Sequence, residues 1–204
     1  LIVLTFAAAR LGAMTAPLNW RLADEELAWI FGDAEPRLAF ADAAHADAAR
    51  RVAGGVEVLA AEALLEGDGE ATGPEPAPQD PALLVYTSGA SGRPKGALRS
   101  HRAVAANATL ATDMHALTKA DHVHTVPALL AGARGTLMDR FEPGACLAQI
   151  AAERPTLSVH VPATFAALTA HPGWAAADLS SLRLIATGST DVPAPMIEAI
   201  HARG

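Results

Sequence analysis

The chain has 204 residues, of which 51% are hydrophobic, 18% are charged and 4% are aromatic. This composition excludes a disordered or fibrous chain and an aromatic stacking platform for single-stranded nucleic acid. The net charge of −7 excludes a general affinity for nucleic acid or for an anionic membrane, so any anionic ligand must be held by local geometry.

The first predicted element is an alanine-rich helix at the start of the chain. Residues 1–9 are as apolar as part of a signal peptide, but no basic stretch precedes them and Arg10 interrupts the run. No apolar run reaches the roughly 18 residues that cross a bilayer. We therefore expect a packed helix of a soluble, cytoplasmic protein without a membrane span. The chain begins with Leu1 instead of an initiator methionine and ends on a helical pattern that Gly204 closes. We therefore also expect it to be part of a longer protein.

Further along, short apolar runs alternate with helical patterns. Strands are predicted at residues 37–41, 56–59, 83–86, 156–161 and 182–186. Helices are predicted at residues 24–31, 102–116, 144–152 and 193–202. This alternation predicts an α/β fold with layered, mainly parallel sheets covered by helices.

Residues 66–81 interrupt this alternation. They contain four prolines, three glycines and five acidic residues, and they cannot bury enough apolar surface to offset the entropy lost on ordering. We predict a mobile surface connection, which is either a boundary between two subdomains or one long loop.

The segment that follows the strand ending at Tyr86 carries the chemistry. Residues 87–96 contain three glycines, three hydroxyl side chains and a lysine. Glycines let backbone N–H groups approach anionic oxygens, hydroxyls donate further hydrogen bonds, and lysine adds a mobile charge. The pattern predicts a loop that binds a polyphosphate, and a solvated turn is the alternative.

Two other enzyme classes do not fit this segment. A P-loop requires a serine or threonine directly after its lysine, whereas Gly96 follows Lys95 here. Pro94 also disfavours the helical start that a P-loop needs. A serine hydrolase is disfavoured because Ser88 does not lie in a G-x-S-x-G turn.

Residues 86–96 resemble the signature loop of the adenylate-forming superfamily, [YF]-T-S-G-[TS]-[TS]-G-x-P-K-G, at ten of eleven positions. This superfamily contains acyl- and aryl-CoA synthetases, luciferases and nonribosomal peptide adenylation domains. Residues 12–19, 141–164 and 178–183 resemble other stretches of the same family. The resemblance implies that residues 1–204 form part of the large N-terminal domain and that the C-terminal domain is absent from this chain.

The resemblance implies an ATP-dependent activity with Mg²⁺. Such enzymes join a carboxylic acid to AMP, release pyrophosphate and pass the acyl group to the thiol of CoA. By resemblance, the β- and γ-phosphates are held by Thr87, Ser88, Gly89, Ser91, Gly92 and Lys95. Ala90 replaces a hydroxyl residue of the family loop, which removes one hydrogen bond worth about 1 kcal/mol but keeps the backbone N–H.

A second stretch, residues 187–190, aligns with the family turn GG[AES], which lies against the adenine and helps to form the acyl pocket. Gly188 is retained, Ser189 replaces the second glycine, and Thr190 follows. We expect these three residues to contact the nucleotide. The alternative is a plain strand-to-helix turn before Pro193.

The chain also departs from the family pattern. A segment with an aromatic-His-x-x-Gly motif is missing after Val126, and the magnesium-associated acid and the adenylating lysine have no counterpart before Gly204. No catalytic residue is assigned, and we expect the chain alone to be inactive. Two alternatives therefore stay open: a non-catalytic remnant that at most binds nucleotide or a partner, and part of an amino-acid adenylation domain. The oligomeric state is also open.

Several titratable residues carry weaker patterns. His122 and His124 alternate on one predicted strand face, but no third ligand follows at a metal-site spacing, and we predict surface or capping roles and no metal. Cys146, the single cysteine, is predicted to be a small core residue on a helix. His101 is predicted to start a helix, with orientation of the phosphate loop by hydrogen bonding as the alternative, and Asp178 is predicted to cap or pair locally.

Overall fold

The computed structural model describes residues 1–66, 73–87, 93–124, 131–138, 140–188 and 191–202. The chain divides into two compact units, Leu1–Ala106 and Asn107–Gly204. Among the residues described, no helix combines the length and the apolar character needed to cross a membrane.

Among the described residues, the first unit contains two small sheets, four complete helical segments and the start of a fifth, in chain order. The elements are α1 (Ile2–Arg10), α2 (Asp24–Ala34), β1 (Leu38–Ala41), α3 (Ala46–Val52), β2 (Glu57–Ala60), a short 3₁₀ helix (Ala61–Leu65), β3 (Pro81–Thr87), β4 (Lys95–Ser100) and the start of α4 (His101–Met114). β1 and β2 are parallel and are joined through α3, whereas β3 and β4 form an antiparallel hairpin. The core of this unit contains Leu27, Phe31, Val52 and Ala53.

The second unit is a parallel sheet with helices. Its elements after α4 are β5 (His122–His124), β6 (Arg134–Thr136), α5 (Pro143–Glu153), β7 (Leu157–His160), α6 (Pro162–Ala170), a 3₁₀ helix (Trp174–Ala176), β8 (Leu184–Thr187) and α7 (Ala194–His201). The strand order is β6-β5-β7-β8, and every pair is parallel. One buried cluster contains Leu117, Val123, Ala133 and Leu157, and the other contains Cys146, Leu147, Ile150, Phe165 and Leu168.

The predicted elements agree with this arrangement, with bounds that shift by one to three residues. The α/β prediction with mainly parallel strands is confirmed. The sequence patterns do not predict α3, β4, β6 and α6. β4, Lys95–Ser100, lacks β-branched and aromatic residues, and α6 begins with Pro162 at its first position, a helix-start signal that the strand pattern before it obscures.

One prediction about packing is wrong. The N-terminal helix forms as α1, but in the described structure none of its residues is buried, and Val3 and Phe6 are exposed. Its apolar side chains point to several sides rather than along one stripe, so no single neighbour can cover them all. The predicted connection 66–81 lies partly outside the described residues; Asp80 in its last part accepts a 2.8 Å hydrogen bond from the Ala77 N–H.

Candidate functional site

The β3–β4 hairpin brings together the two ends of the predicted phosphate loop. Thr87, the last residue of β3, is the register partner of Lys95, the first residue of β4. Both residues are exposed. The residues between them that carry the remaining predicted contacts, Ser88, Gly89, Ala90, Ser91 and Gly92, lie outside the described residues. The two residues that flank the loop thus lie at exposed positions at one end of the hairpin.

Lys95 is available for an anionic ligand. Its side chain is exposed, and within the described ranges it forms no ion pair. An ammonium group on a flexible stem can follow a phosphate group as a point charge. Lys95 therefore fits the predicted role at the phosphate end of a nucleotide.

Tyr86, directly before the loop, is anchored to α2. Its hydroxyl donates a 2.5 Å hydrogen bond to Asp33 Oδ2, and its ring meets the edge of Trp29 at 6.2 Å between centroids. Burial and the hydrogen bond to the Asp33 carboxylate raise the pKa of Tyr86 to about 12. The aromatic position of the motif thus fixes the hairpin to α2. Asp33 carries no local signal for this role, because its partner lies 53 residues away along the chain.

Gly96 has a packing role in the hairpin. It lies opposite Tyr86, and a Cβ atom there would lie 2.9 Å from Leu84 Cδ1 and 3.3 Å from Tyr86 Cζ. Gly96, the third glycine of residues 87–96, thus lets the side chains of Leu84 and Tyr86 pack directly against the backbone of β4.

Replacing Gly96 with alanine is expected to lower the free energy of unfolding by about 0.5–1.5 kcal/mol, because the methyl group displaces the flexible end of Leu84 and the ring of Tyr86. Urea unfolding measures this change. Gly188→Ala is the control, because a Cβ there meets no described atom within 4 Å. Equal losses in the two variants would show that close approach to β3 is not the reason for Gly96.

The residues directly after the hairpin form the capped start of α4. Ser100 caps the helix by accepting a 3.3 Å hydrogen bond from the Ala103 N–H. The His101 N–H donates to the Asp80 carbonyl at 3.1 Å, and the Arg102 N–H donates to the Pro78 carbonyl at 2.8 Å. The predicted helix-start role of His101 is confirmed.

The second predicted stretch lies in the second unit. Thr187 ends β8 as the register partner of His160, and Gly188 follows it. A Cβ on Gly188 would meet no described atom within 4 Å, so space is open beside it. Ser189 and Thr190 lie outside the described residues. The prediction that this turn contacts the nucleotide stays a prediction.

Other family-like stretches of the second unit have structural roles. Glu142 caps α5 by accepting hydrogen bonds from the N–H groups of Gly144 and Ala145, which lowers the pKa of its carboxyl. Asp178 accepts hydrogen bonds from the hydroxyl and the N–H of Ser180 and pairs with Arg154 at 2.9 Å, and these contacts lower its pKa to about 2. The predicted local role of Asp178 is confirmed.

The chain is similar in sequence to enzymes of one family. The AMP-binding enzyme family profile matches residues 1–204. Indoleacetate–CoA ligase from Aromatoleum aromaticum is 42% identical over 228 residues, covering 98% of this chain and 45% of that protein. Feruloyl-CoA synthase from an Amycolatopsis species is 36% identical over 221 residues, covering 98% of this chain and 44% of that protein. The chain thus spans less than half the length of these curated relatives.

The fold leads to the same family. The inhibitor-bound N-terminal domain of FACL13 from Mycobacterium tuberculosis matches with a TM-score of 0.88 and 25% identity, covering 98% of this chain and 56% of that one. The predicted fold, that of the N-terminal domain of adenylate-forming enzymes, is confirmed. Because the profile covers every residue and the fold agrees, this protein belongs to the AMP-binding enzyme family.

Proposed function

We propose that this protein takes part in the ATP- and Mg²⁺-dependent activation of a carboxylic acid as an acyl-adenylate, followed by thioester formation with CoA. The observation that carries the proposal is the hairpin, in which Thr87 and Lys95 face each other across a loop of glycines and hydroxyl residues. The alignment with CoA ligases over 98% of the chain supports it.

The chemistry explains why such a loop is needed. A carboxylate is a poor electrophile; its attack on the α-phosphate of ATP forms the acyl-adenylate and releases pyrophosphate, and the thiol of CoA then displaces AMP. Carboxylate and triphosphate repel each other, so positive charge and oriented N–H dipoles must collect at the phosphates. Lys95 supplies that charge, and Thr87 supplies a hydroxyl donor at the opposite strand end.

The relatives support an aromatic acid as the substrate. The two proteins that are 42% and 36% identical are named for indoleacetate and ferulate, whereas a long-chain-fatty-acid–CoA ligase from Mycobacterium tuberculosis is 29% identical. We therefore propose an aryl carboxylic acid, in preference to a fatty acid, as the substrate. ATP–pyrophosphate exchange in the whole protein with indoleacetate, ferulate and a long-chain fatty acid tests this order, and faster exchange with the fatty acid would reverse it.

Replacing Lys95 with alanine is expected to weaken MgATP binding by about 10- to 150-fold, the equivalent of one charge-assisted hydrogen bond of roughly 1.5–3 kcal/mol. Isothermal titration calorimetry of this chain with MgATP measures the affinity. Lys119→Ala is the matched control, because Lys119 is also an exposed lysine but lies in the second unit. Its affinity for MgATP is expected to equal that of the wild type.

Two results of this titration would contradict the proposal for the loop. If Lys95→Ala bound MgATP as tightly as the wild type, Lys95 would not hold the phosphates. If the wild-type chain bound no MgATP at all, the non-catalytic remnant would be the better description.

A further inference from the structure

Three buried side chains of metal-ligand type converge in the second unit. His124 ends β5, His160 ends β7, and Cys146 lies on α5. They are 3%, 7% and 0% exposed, and one ligand atom of each lies within 4.8 Å of the others. Among the described residues, no other group of three or more histidine, cysteine or acidic side chains has its ligand atoms within 4.8 Å of one another.

The sheet and one helix produce this convergence. His124 is the register partner of Ser158 on the neighbouring parallel strand, and His160 follows two residues later on the same face of that strand. Cys146 and Gln149 lie three residues apart on α5, so they are neighbours on one face of this helix. Gln149 Oε1 lies 2.9 Å from His124 Nε2, so this face of α5 meets the end of β5.

The surroundings orient the imidazole of His124. Gln149 Nε2 donates a 3.1 Å hydrogen bond to the Glu153 carboxylate, which fixes the amide with Oε1 towards His124. An amide oxygen only accepts, so Nε2 of His124 carries the proton and Nδ1 keeps its lone pair. A histidine that donates its second nitrogen to an oxygen is the usual arrangement of a metal ligand in proteins.

The remaining nitrogens converge on one point. His124 Nδ1 lies 3.4 Å and His160 Nε2 lies 2.8 Å from the Ser158 hydroxyl oxygen, which is itself fully buried. Both nitrogens therefore lie beside the same buried hydroxyl, and His160 presents the lone pair of Nε2 in the tautomer that carries its proton on Nδ1.

We propose that His124, Cys146 and His160 bind one zinc ion, which links β5, α5 and β7. Nitrogen and thiolate ligands suit Zn²⁺, with Zn–N near 2.0–2.1 Å and Zn–S near 2.3 Å, about 3.5 Å between tetrahedral ligand atoms. The side chains then move inward by about 1 Å from the spacing in the structure. On binding, the Cys146 thiol releases its proton to solvent and its sulfur forms the bond to zinc. A water or the Ser158 hydroxyl completes the tetrahedron.

This proposal goes beyond the ligase function and is independent of it. The cluster lies within the second unit, whereas Lys95 lies in the first. Failure of nucleotide binding therefore leaves the zinc site standing, and the reverse also holds.

Titration of the metal-free chain with Co²⁺ under reducing conditions tests the site. We expect one equivalent to bind, with the near-ultraviolet absorption of a cobalt thiolate and the visible bands of tetrahedral cobalt, and we expect Zn²⁺ to displace it. The chain has one cysteine, so any cobalt thiolate absorption must come from Cys146. Absence of this absorption in the wild type overturns the proposal.

Variants then separate the ligands from their neighbours. Cys146→Ser is expected to abolish the thiolate absorption, and Gln149→Leu, which removes the hydrogen bond to His124, to weaken Zn²⁺ binding by about 10- to 100-fold. His115→Gln is the control: His115 is a half-buried histidine of the same unit and does not belong to the cluster. Loss of binding in His115→Gln with full binding in His160→Gln contradicts the assignment.

Discussion

Replacing Phe165 with alanine is expected to lower the free energy of unfolding by about 3–5 kcal/mol, the range for deleting a large buried aromatic side chain. Phe165 is 1% exposed and lies in the core cluster of the second unit with Leu147 and Ile150. Its ring also meets Trp174 edge-on at 5.7 Å between centroids, and such aromatic pairs add about 0.5–1.5 kcal/mol beyond burial. Urea unfolding followed by far-ultraviolet circular dichroism measures the loss.

Phe6 provides a matched control for this substitution. It is the same residue type on α1 but is 61% exposed, so Phe6→Ala is expected to change the free energy of unfolding by less than about 0.5 kcal/mol. A similar loss in both variants would show that α1 is covered as thoroughly as the core of the second unit.

Replacing Asp121 with asparagine is expected to lower the free energy of unfolding by about 2–3 kcal/mol. The asparagine NH₂ group would point at hydrogen-bond donors that the aspartate carboxylate now accepts from, and the negative charge beside Arg183 would be lost. The Asp121 carboxylate accepts from Arg183 Nε at 2.8 Å, from Thr156 Oγ1 at 2.6 Å and from the Thr118 N–H at 2.9 Å. Arg183 also donates to the carbonyls of His115 and Ala116. One carboxylate thus joins the end of α4 to the starts of β7 and β8. Urea unfolding at pH 7 measures the loss.

The advantage of Asp121 over asparagine is expected to depend on pH. The hydrogen bond from Arg183 lowers the pKa of Asp121 below its ordinary value of 3.8. A lowered pKa in the folded state means that the stabilisation is full above about pH 4, the unfolded value, and declines as the pH falls below it. Urea unfolding of both proteins at pH 7 and at about pH 3 tests this. A gap that widened towards acid would contradict the assignment.

The elements that could be predicted are those with a local pattern. The acidic first turn Asp24–Glu26 and the apolar face of Leu27 and Phe31 mark α2, because both act within a few residues of the chain. β4 was missed because its residues are exposed and have low strand propensity; its pairing with β3 creates the strand. The packing of α1 was mispredicted because composition does not show which neighbours a helix meets.

For the candidate site, the loop after Tyr86 could be found because its residues are contiguous. The partners around it could not be found. Asp33 lies 53 residues from Tyr86, and its carboxylate reaches the hydroxyl only through the packing of α2 against the hairpin. The pair His122 and His124 was visible, but the roles of the two residues were not: both are buried, and only His124 meets Cys146 and His160.

By itself, the sequence determined the family, the alternation of strands and helices, and the position of a glycine- and hydroxyl-rich loop that ends at Lys95. These features are local, since they depend on residue order within about ten positions. The tertiary structure alone decided which distant side chains meet: Asp121 with Arg183, 62 residues apart, and the two histidines with Cys146. Strand register and helix packing set the distances between these side chains, and the spacing of the residues along the chain does not reveal either of them.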